Sequence, residues 1–295
     1  MKRRFIPGSE WIYLKVYAGP IFLEEFLSTI VYNQVISFYK KKLINEFFFI
    51  RYNDNDGYHI RLRFRLINQK LYPQIIDAFY LSIQPFVENR VIHNISVETY
   101  IRELERYGVD LIEHIETLFS YNSIQILELL NSAQSYENFL LEGMRIGDMT
   151  MSLLGASDLD KYRVYETYYR GYSDELGFNG KVPIHLKNKN RELSKKLLQI
   201  LGTENMNPIS HANEAISNTL RSKMEIINDN ITKKREKLTE DAFIQLLKDI
   251  QHMHYNRLFR INQRIHEFVL YFLLSNFYKS KLIKKDSSFK NLIKF

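Results

Sequence analysis

"FFFIRYNDNDGYHIRLRFRL", Phe47 to Leu66, decides how this chain is read. In its second half His59, Arg61, Arg63 and Arg65 alternate with Ile60, Leu62, Phe64 and Leu66. An extended strand sends successive side chains to opposite faces, so this spelling gathers the nitrogen donors on one side and the apolar groups on the other. "EFFFIRY" before it reads as a second strand. Between them Asn53-Asp54-Asn55-Asp56-Gly57 has the composition of a turn that needs positive backbone dihedrals. The stretch is therefore a β-hairpin with one apolar and one cationic face.

Outward from the hairpin, "EWIYLKVY" alternates from Trp11 to Tyr17 and reads as another strand, while Pro20 suits the first turn of the helix that follows. A second helix is expected over about 71–89. After "ISVETYIRELERYG" the three-and-four spacing is helical almost throughout, near 110–132, 135–154, 158–172, 188–202, 208–235 and 239–278. The expected fold class is α+β, with an amino-terminal antiparallel sheet and flanking helices leading into a predominantly α-helical remainder. One domain is expected over 11–278, its α+β part at about 11–107 and its helical part at about 108–278. Arg170 to Asn190 reads as a long loop, and 279–295 as a basic, flexible tail.

The totals exclude several classes. A chain of 295 residues with 45% hydrophobic content can bury a sizeable core. The absence of cysteine removes disulfides, thiolate catalysis and the common structural zinc sites, and suits a reducing cytoplasm. Pro7, Gly8, Ser9 and Glu10 interrupt what would have to be an apolar signal core, and "FVLYFLLSNFY" from Phe268 falls well short of the roughly 20 residues that span a bilayer. No secretion signal and no membrane span are expected, and the location expected is cytoplasmic.

Net charge is +7, of which six lysines after residue 278 against Asp286 supply +5. The body is only mildly basic, its aromatic residues fall at helical apolar spacing, and no RNA-binding signature is present, so direct nucleic-acid binding is not expected. There is no glycine-rich phosphate loop and no HExxH or EF-hand pattern. His252 and His254 point about 200 degrees apart on a helix and make a poor metal pair. No metal and no cofactor are expected.

Arginine stays charged, so three on one strand face repel each other unless something anionic compensates. Glu103 or Glu105 could do so, and on spacing alone the first reading is a solvated face laced with ion pairs. Arg51, just before the turn, would bring a further guanidinium to the same place, and forked planar donors suit carboxylate or phosphate. In "YIRELERYG" a helix would put Arg102 and Arg106 one turn apart on a common face. In "DIQHMHYNRLFRIN", His252 and Asn256 share a helix face, as do Met253 and Arg257, although a lone helix histidine is usually structural.

Taken in order, "WIYLKVY", "FIRY" with "HIRLRF", "YIRELERYG", "LFSYNS" and "HMHYNRL" resemble the small carboxy-terminal domain of class I lantibiotic dehydratases, over about Trp11 to Leu274. The same domain occurs as free-standing thiopeptide-type bacteriocin biosynthesis proteins. The resemblance implies a lyase. In those dehydratases a large domain esterifies serine or threonine of a precursor peptide with glutamate from glutamyl-tRNA, and the small domain eliminates the glutamate to leave dehydroalanine or dehydrobutyrine. By resemblance Arg61, Arg63 and Arg102 bind glutamate and stabilise charge, and His252 moves a proton. Arg51, His59, Arg106, Asn256 and Arg257 are the accompanying substrate-binding candidates.

The partners this implies are a glutamylated precursor peptide and a separate glutamyl-tRNA-dependent glutamylation protein; a homodimer is also compatible. The chain departs from the family pattern where Val109 and Asp110 follow Gly108 in place of a double glycine, and where Tyr121-Asn122-Ser123 stands for an Asp-Ser pair. Two alternatives stay open. Pyridine synthases resemble the same domain and join two dehydroalanines in a formal [4+2] cycloaddition. A non-catalytic module could instead take up a leader peptide by strand addition at an exposed edge of "WIYLKVY".

Overall fold

The computed structural model describes residues 1–286 except Gln134, Gly180 and, within 202–237, all but 223, 227, 230, 231, 233 and 235. Most of the helix expected over 208–235, and the end of the expected tail, lie outside the described residues. By its contacts the chain divides into two compact units. The first comprises Met1–Ser135, Pro208–Ile231 and Asn256–Ile261, and the second comprises Tyr136–Asn207, Thr232–Tyr255 and Asn262–Phe295.

In the first unit the order is β1 (Arg4–Phe5), β2 (Trp11–Ala18), α1 (Pro20–Phe26), a π-helical turn at Leu27–Val31, α2 (Tyr32–Lys40), β3 (Ile44–Asp54), β4 (Gly57–Leu66) and α3 (Tyr72–Glu88). Strand β5 (Ile92–Val97), β6 (Tyr100–Ile101), α4 (Leu104–Tyr107) and α5 (Ile112–Ser132) follow. Four strands form an antiparallel sheet in the order β3-β4-β2-β5, while β1 pairs with β6. Each helical crossover returns to a strand two places away, the β-α-β-β-α-β arrangement.

The local chemistry explains these elements. Pro20 occupies the first turn of α1, where its missing N–H costs nothing. Gly57 closes the hairpin at φ 110, a backbone state that a side chain would strain. Ile12, Leu14 and Val16 of β2 pair with Phe64, Leu62 and Ile60 of β4, and all six are buried. Phe64 lies 6.0 Å from Phe38 of α2 and 6.1 Å from Phe79 of α3, so this face of the sheet packs on the helices. Burying each such side chain contributes about 1.5–3 kcal/mol.

Strand β2 bonds to β4 along Trp11–Tyr17 and to β5 from Leu14 to Ala18, so "WIYLKVY" has no open edge from Leu14 onward. The expectation of strand addition at its edge is corrected: the two crossovers thread β2 into the middle of the sheet.

The outer edge of β3 is covered by side chains rather than by another strand. Phe47 N donates to Ser120 Oγ at 2.9 Å and Phe49 N to Ser123 Oγ at 3.2 Å, both on α5. The Asn256 amide accepts from Arg51 N at 3.0 Å and donates to Arg51 O at 2.8 Å, and Arg257 Nε donates to Phe49 O at 2.8 Å. Buried backbone groups thereby find partners and the edge is closed to further pairing.

In the second unit α6 (Tyr136–Leu153), α7 (Asp158–Glu175), α8 (Ile184–Leu201), α9 (Glu240–Leu258, its last three residues belonging to the first unit) and α10 (Gln263–Lys285) supply the described helices. A reciprocal cap starts α7: Asp160 N donates to Ser157 Oγ and Ser157 N to Asp160 Oδ2. Tyr168 stacks on Tyr271 with centroids 4.8 Å apart, and Asp148 is held by Lys161 Nζ at 2.7 Å and the Tyr278 hydroxyl at 2.6 Å. Gly147 leaves room for His254, whose ring would stand 2.7 Å from a Cβ built there.

Three boundaries differ from the sequence reading. The loop expected over Arg170–Asn190 is mostly helical, because α7 runs to Glu175 and α8 begins at Ile184, just after Pro183. The segment 239–278 is two helices, broken where Asn262 adopts left-handed φ 52. Helix α10 continues to Lys285, past the point where the tail was expected to start.

Candidate active site

The sheet face away from α2 and α3 is built from cross-strand rows. Tyr17, His59 and Tyr52 form one; Lys15, Arg61 and Ile50 the next; then Tyr13, Arg63 and Phe48; then Trp11, Arg65 and Glu46. The Trp11 end is roofed by rings. Tyr100 lies 5.1 Å from Trp11 and 6.1 Å from Phe48, and Phe119 of α5 lies 5.7 Å from Phe48. Beneath that roof Arg65 finds an acid, Glu46, at 3.5 Å.

Arg63 does not. It is 8% exposed, with its guanidinium carbon 4.4 Å from the Tyr13 ring, 5.1 Å from Phe48 and 5.2 Å from Tyr100. Its Nε and Nη1 have no hydrogen-bond partner. Burial above all draws its pKa below the usual arginine range, and Arg61 beside it acts in the same direction. Glu103 pulls the other way from a distance, but its ion pair is with Arg106 at 2.8 Å, and Glu105 pairs with Arg3 at 2.7 Å.

Arg61 is half-buried and lies 3.6 Å over the Tyr52 ring. Among the described residues its one hydrogen bond is from Nε to His59 Nε2 at 3.0 Å, so its terminal nitrogens are unspent. His59 accepts on Nε2 and meets Gly57 O through Nδ1 at 3.1 Å, which makes it the neutral Nδ1–H tautomer. Burial, the largest influence, pushes its pKa down, and Asp54 at 3.7 Å only partly offsets that. Lys15 stands next to Arg61 with Glu98 at 3.4 Å. The open end of the face therefore carries two neighbouring guanidiniums without an acid of their own.

The other expected residues lie as follows. Arg102 is not on a helix with Arg106: pairing of β6 with β1 keeps the chain extended, and Arg102 N donates to Arg3 O at 3.0 Å before α4 begins. Its buried side chain grips Glu116 in a fork, Nε to Oε1 at 2.7 Å and Nη2 to Oε2 at 2.6 Å, while Nη1 reaches Lys2 O and Glu113. The Tyr100 hydroxyl donates to the same Glu116 at 2.7 Å. Arg106 is exposed and pairs with Glu103.

Arg51 sits opposite Ile60 in the register, so it faces away from Arg61 and Arg63 instead of converging with them. Its Nε donates to Arg257 O at 2.9 Å and its Nη2 reaches Glu24 at 3.4 Å. Asn256 and Arg257 are the edge-covering residues of β3 described above. His252, in the second unit, is half-exposed with Nδ1 3.4 Å from Glu267. The sequence reading missed the aromatic walls, Tyr13, Tyr52 and Tyr100, and it missed Glu267. Tyr13 was findable, because the alternation of "WIYLKVY" puts Tyr13, Lys15 and Tyr17 on one face. Among the described residues no group of three or more His, Asp or Glu could hold a metal ion, and no helix is long and apolar enough to cross a membrane.

Comparison with known proteins bears on this arrangement. The family model for the C-terminal part of lantibiotic biosynthesis dehydratase matches residues 11–278. The subtilin biosynthesis protein SpaB of Bacillus subtilis is 24% identical over 96% of this chain, which spans 27% of that protein. The nisin biosynthesis protein NisB of Lactococcus lactis subsp. lactis is 32% identical over 46% of this chain and 13% of its own length. This chain thus spans about a quarter or less of these relatives.

Among solved structures, the tRNA-dependent lantibiotic dehydratase MibB from Microbispora sp. 107891 shares the fold with TM-score 0.70 at 20% identity, over 95% of this chain and 29% of MibB. The pyridine synthase TbtD from thiomuracin biosynthesis shares it with TM-score 0.59 at 15% identity, over 92% of this chain and 98% of TbtD. With its motifs in order and the family pattern matched from Trp11 to Tyr278, the chain belongs to the lantibiotic biosynthesis dehydratase C-terminal family.

Proposed function

We propose that this chain is a lyase that eliminates glutamate from glutamylated serine or threonine of a ribosomally made precursor peptide, leaving dehydroalanine or dehydrobutyrine. The ester would be supplied by a glutamyl-tRNA-dependent glutamylation protein. The observation that carries the reading is Arg63, nine-tenths buried among three rings with two donors unpaired, next to Arg61 with its terminal nitrogens unspent. A buried cation without partners is costly, and a carboxylate supplies the forked acceptor that offsets the cost.

The chemistry fits those groups. A base takes the peptide Cα proton, the electron pair becomes the Cα–Cβ double bond, and the Cβ–O bond breaks with its pair leaving on the glutamate carboxylate. Charge grows on the departing oxygen as the bond breaks, so guanidiniums that hold it act most strongly in the transition state. We assign Arg61 and Arg63 to the glutamate carboxylates and His252 to the proton transfer, since an imidazole can serve as acid or base near neutrality.

Arg102, with its donors on Glu116, Glu113 and Lys2, acts through Glu116, which accepts from the Tyr100 hydroxyl and so fixes the ring that lies 5.2 Å from Arg63. His59 orients Arg61, while Arg51, Asn256 and Arg257 fix the strand that carries Tyr52. Arg106 stays at the exposed rim as a peptide contact. A second reading, cycloaddition on an already dehydrated peptide, is favoured by the match to nearly the whole of a pyridine synthase, but such a substrate offers no free glutamate carboxylate for the arginine pair.

The test is mass spectrometry of a precursor peptide carrying a chemically installed glutamyl ester on serine. The wild type should release glutamate and leave dehydroalanine, and Arg61→Ala and His252→Ala should not. Equal turnover by all three proteins would remove these assignments.

A further inference from the structure

Three imidazoles lie near the motifs, and they differ in what their nitrogens do. His59 spends Nε2 on Arg61 and Nδ1 on Gly57 O. His254 is buried with Nε2 2.8 Å from Gly143 O. His252 on α9 reaches solvent, and its Nδ1 lies 3.4 Å from Oε1 of Glu267 on α10. Glu267 is wholly buried. The Tyr172 hydroxyl of α7 donates to its Oε2 at 2.5 Å, and Gln263 Nε2 donates to its Oε1.

A carboxylate taken out of water needs hydrogen bonds and a counter-charge. Tyr172 and Gln263 supply the first and fix the plane of the group. Arg264, next along α10, adds a positive charge that Glu267 also feels, but its ion-pair contact is with Glu175 at 3.7 Å and it lies 4.9 Å over the Tyr172 ring. Tyr255 of α9 and Tyr271 of α10 contribute neutral rings, and Asp249 precedes His252 by three residues on α9. The group in ion-pair contact with the buried carboxylate is His252.

We propose that Glu267 is the positioning partner of His252: its carboxylate accepts the Nδ1–H, fixes that tautomer, and leaves the Nε2 lone pair as the base that takes the peptide Cα proton. Tyr172 and Gln263 keep the carboxylate aimed. A carboxylate behind an imidazole sets both its ring orientation and its protonated nitrogen, and it stabilises the imidazolium that forms when the ring accepts a proton. The proposal rests on the reading of His252 as the proton-transfer residue, and it names Glu267 as a residue that acts without touching substrate.

The test is nitrogen-15 NMR of the histidine rings in the full chain, His252 being assigned by its loss in His252→Ala. Wild-type neutral His252 should be mainly the Nδ1–H tautomer. In Glu267→Gln the amide can present a donor to Nδ1, so the Nε2–H share should rise. On a glutamyl-ester peptide kcat should fall by about tenfold to a hundredfold with KM little changed, and Glu267→Asp should recover part of kcat.

A wild-type ring that is mainly Nε2–H overturns the proposal, even if Glu267→Gln fails to fold. So does a folded Glu267→Gln protein with unchanged tautomer shares. If the wild type releases no glutamate while the tautomer result holds, the proposed function fails and the His252–Glu267 pair stands.

Discussion

Replacing Arg63 with methionine should make the free protein more stable and leave it unable to use glutamate. Two of its donors, Nε and Nη1, are buried without partners, each costing about 1–3 kcal/mol. Against that stand the ring contacts with Tyr13, Phe48 and Tyr100, each about 0.5–2 kcal/mol for a cation over an aromatic face. A thioether keeps part of that contact, because sulfur packs favourably against aromatic rings. The difference should be about 1–3 kcal/mol in favour of Arg63→Met, or about 2–4 °C in Tm for each kcal/mol at this chain length.

The assay is urea unfolding with and without glutamate. Glutamate at a hundred times its Kd should stabilise the wild type by about 2.7 kcal/mol and the variant by nothing. A variant less stable than wild type by more than about 1 kcal/mol would refute the reasoning, since the guanidinium would then be satisfied within the protein.

Other perturbations separate support from chemistry. Glu116→Gln should cost about 3–5 kcal/mol, because it leaves Arg102 buried without its fork partner, and denaturant unfolding reads the loss directly. His59 titrates lower folded than unfolded, so the unfolded chain binds its proton first: stability should be full above about pH 6.5 and fall as pH drops from there towards the lowered folded value. That slope should flatten in His59→Gln, measured by unfolding at stepped pH. Gly147→Ala puts a methyl 2.7 Å from the His254 ring and should cost about 1–3 kcal/mol in thermal unfolding, whereas Gly171→Ala, where a Cβ meets nothing, should not.

How much was legible follows from how local each signal is. The hairpin and the alternation of "HIRLRF" depend on neighbouring residues, and the structure has both, with Gly57 at the turn and the donors of β4 on one face. Pro20 opened its helix for the same reason. Register is not local. Whether Arg51 joins the arginine row depends on pairing with Ile60, one residue out of phase with Arg61, and a one-residue offset reverses the face.

Nor does the sequence show that β2 is central, since that follows from two crossovers distant in the chain. Arg102 looked helical because "RELER" has helical composition, and pairing with β1 overrode it. Ser120, Ser123 and Asn256 carry a family motif, yet their work on the edge of β3 appears only when that strand lies beside them.

The central claim is that Arg61 and Arg63 recognise the carboxylates of a departing glutamate. The most direct measurement compares elimination from one serine peptide carrying a glutamyl ester and the same peptide carrying a glutaminyl ester. A hydrogen bond to a charged group contributes about 1.5–3 kcal/mol, so the wild type should prefer the glutamyl ester in kcat/KM by on the order of 10- to 100-fold. Arg63→Met should erase that preference. Equal rates on both esters, or a preference that survives in Arg63→Met, would contradict it.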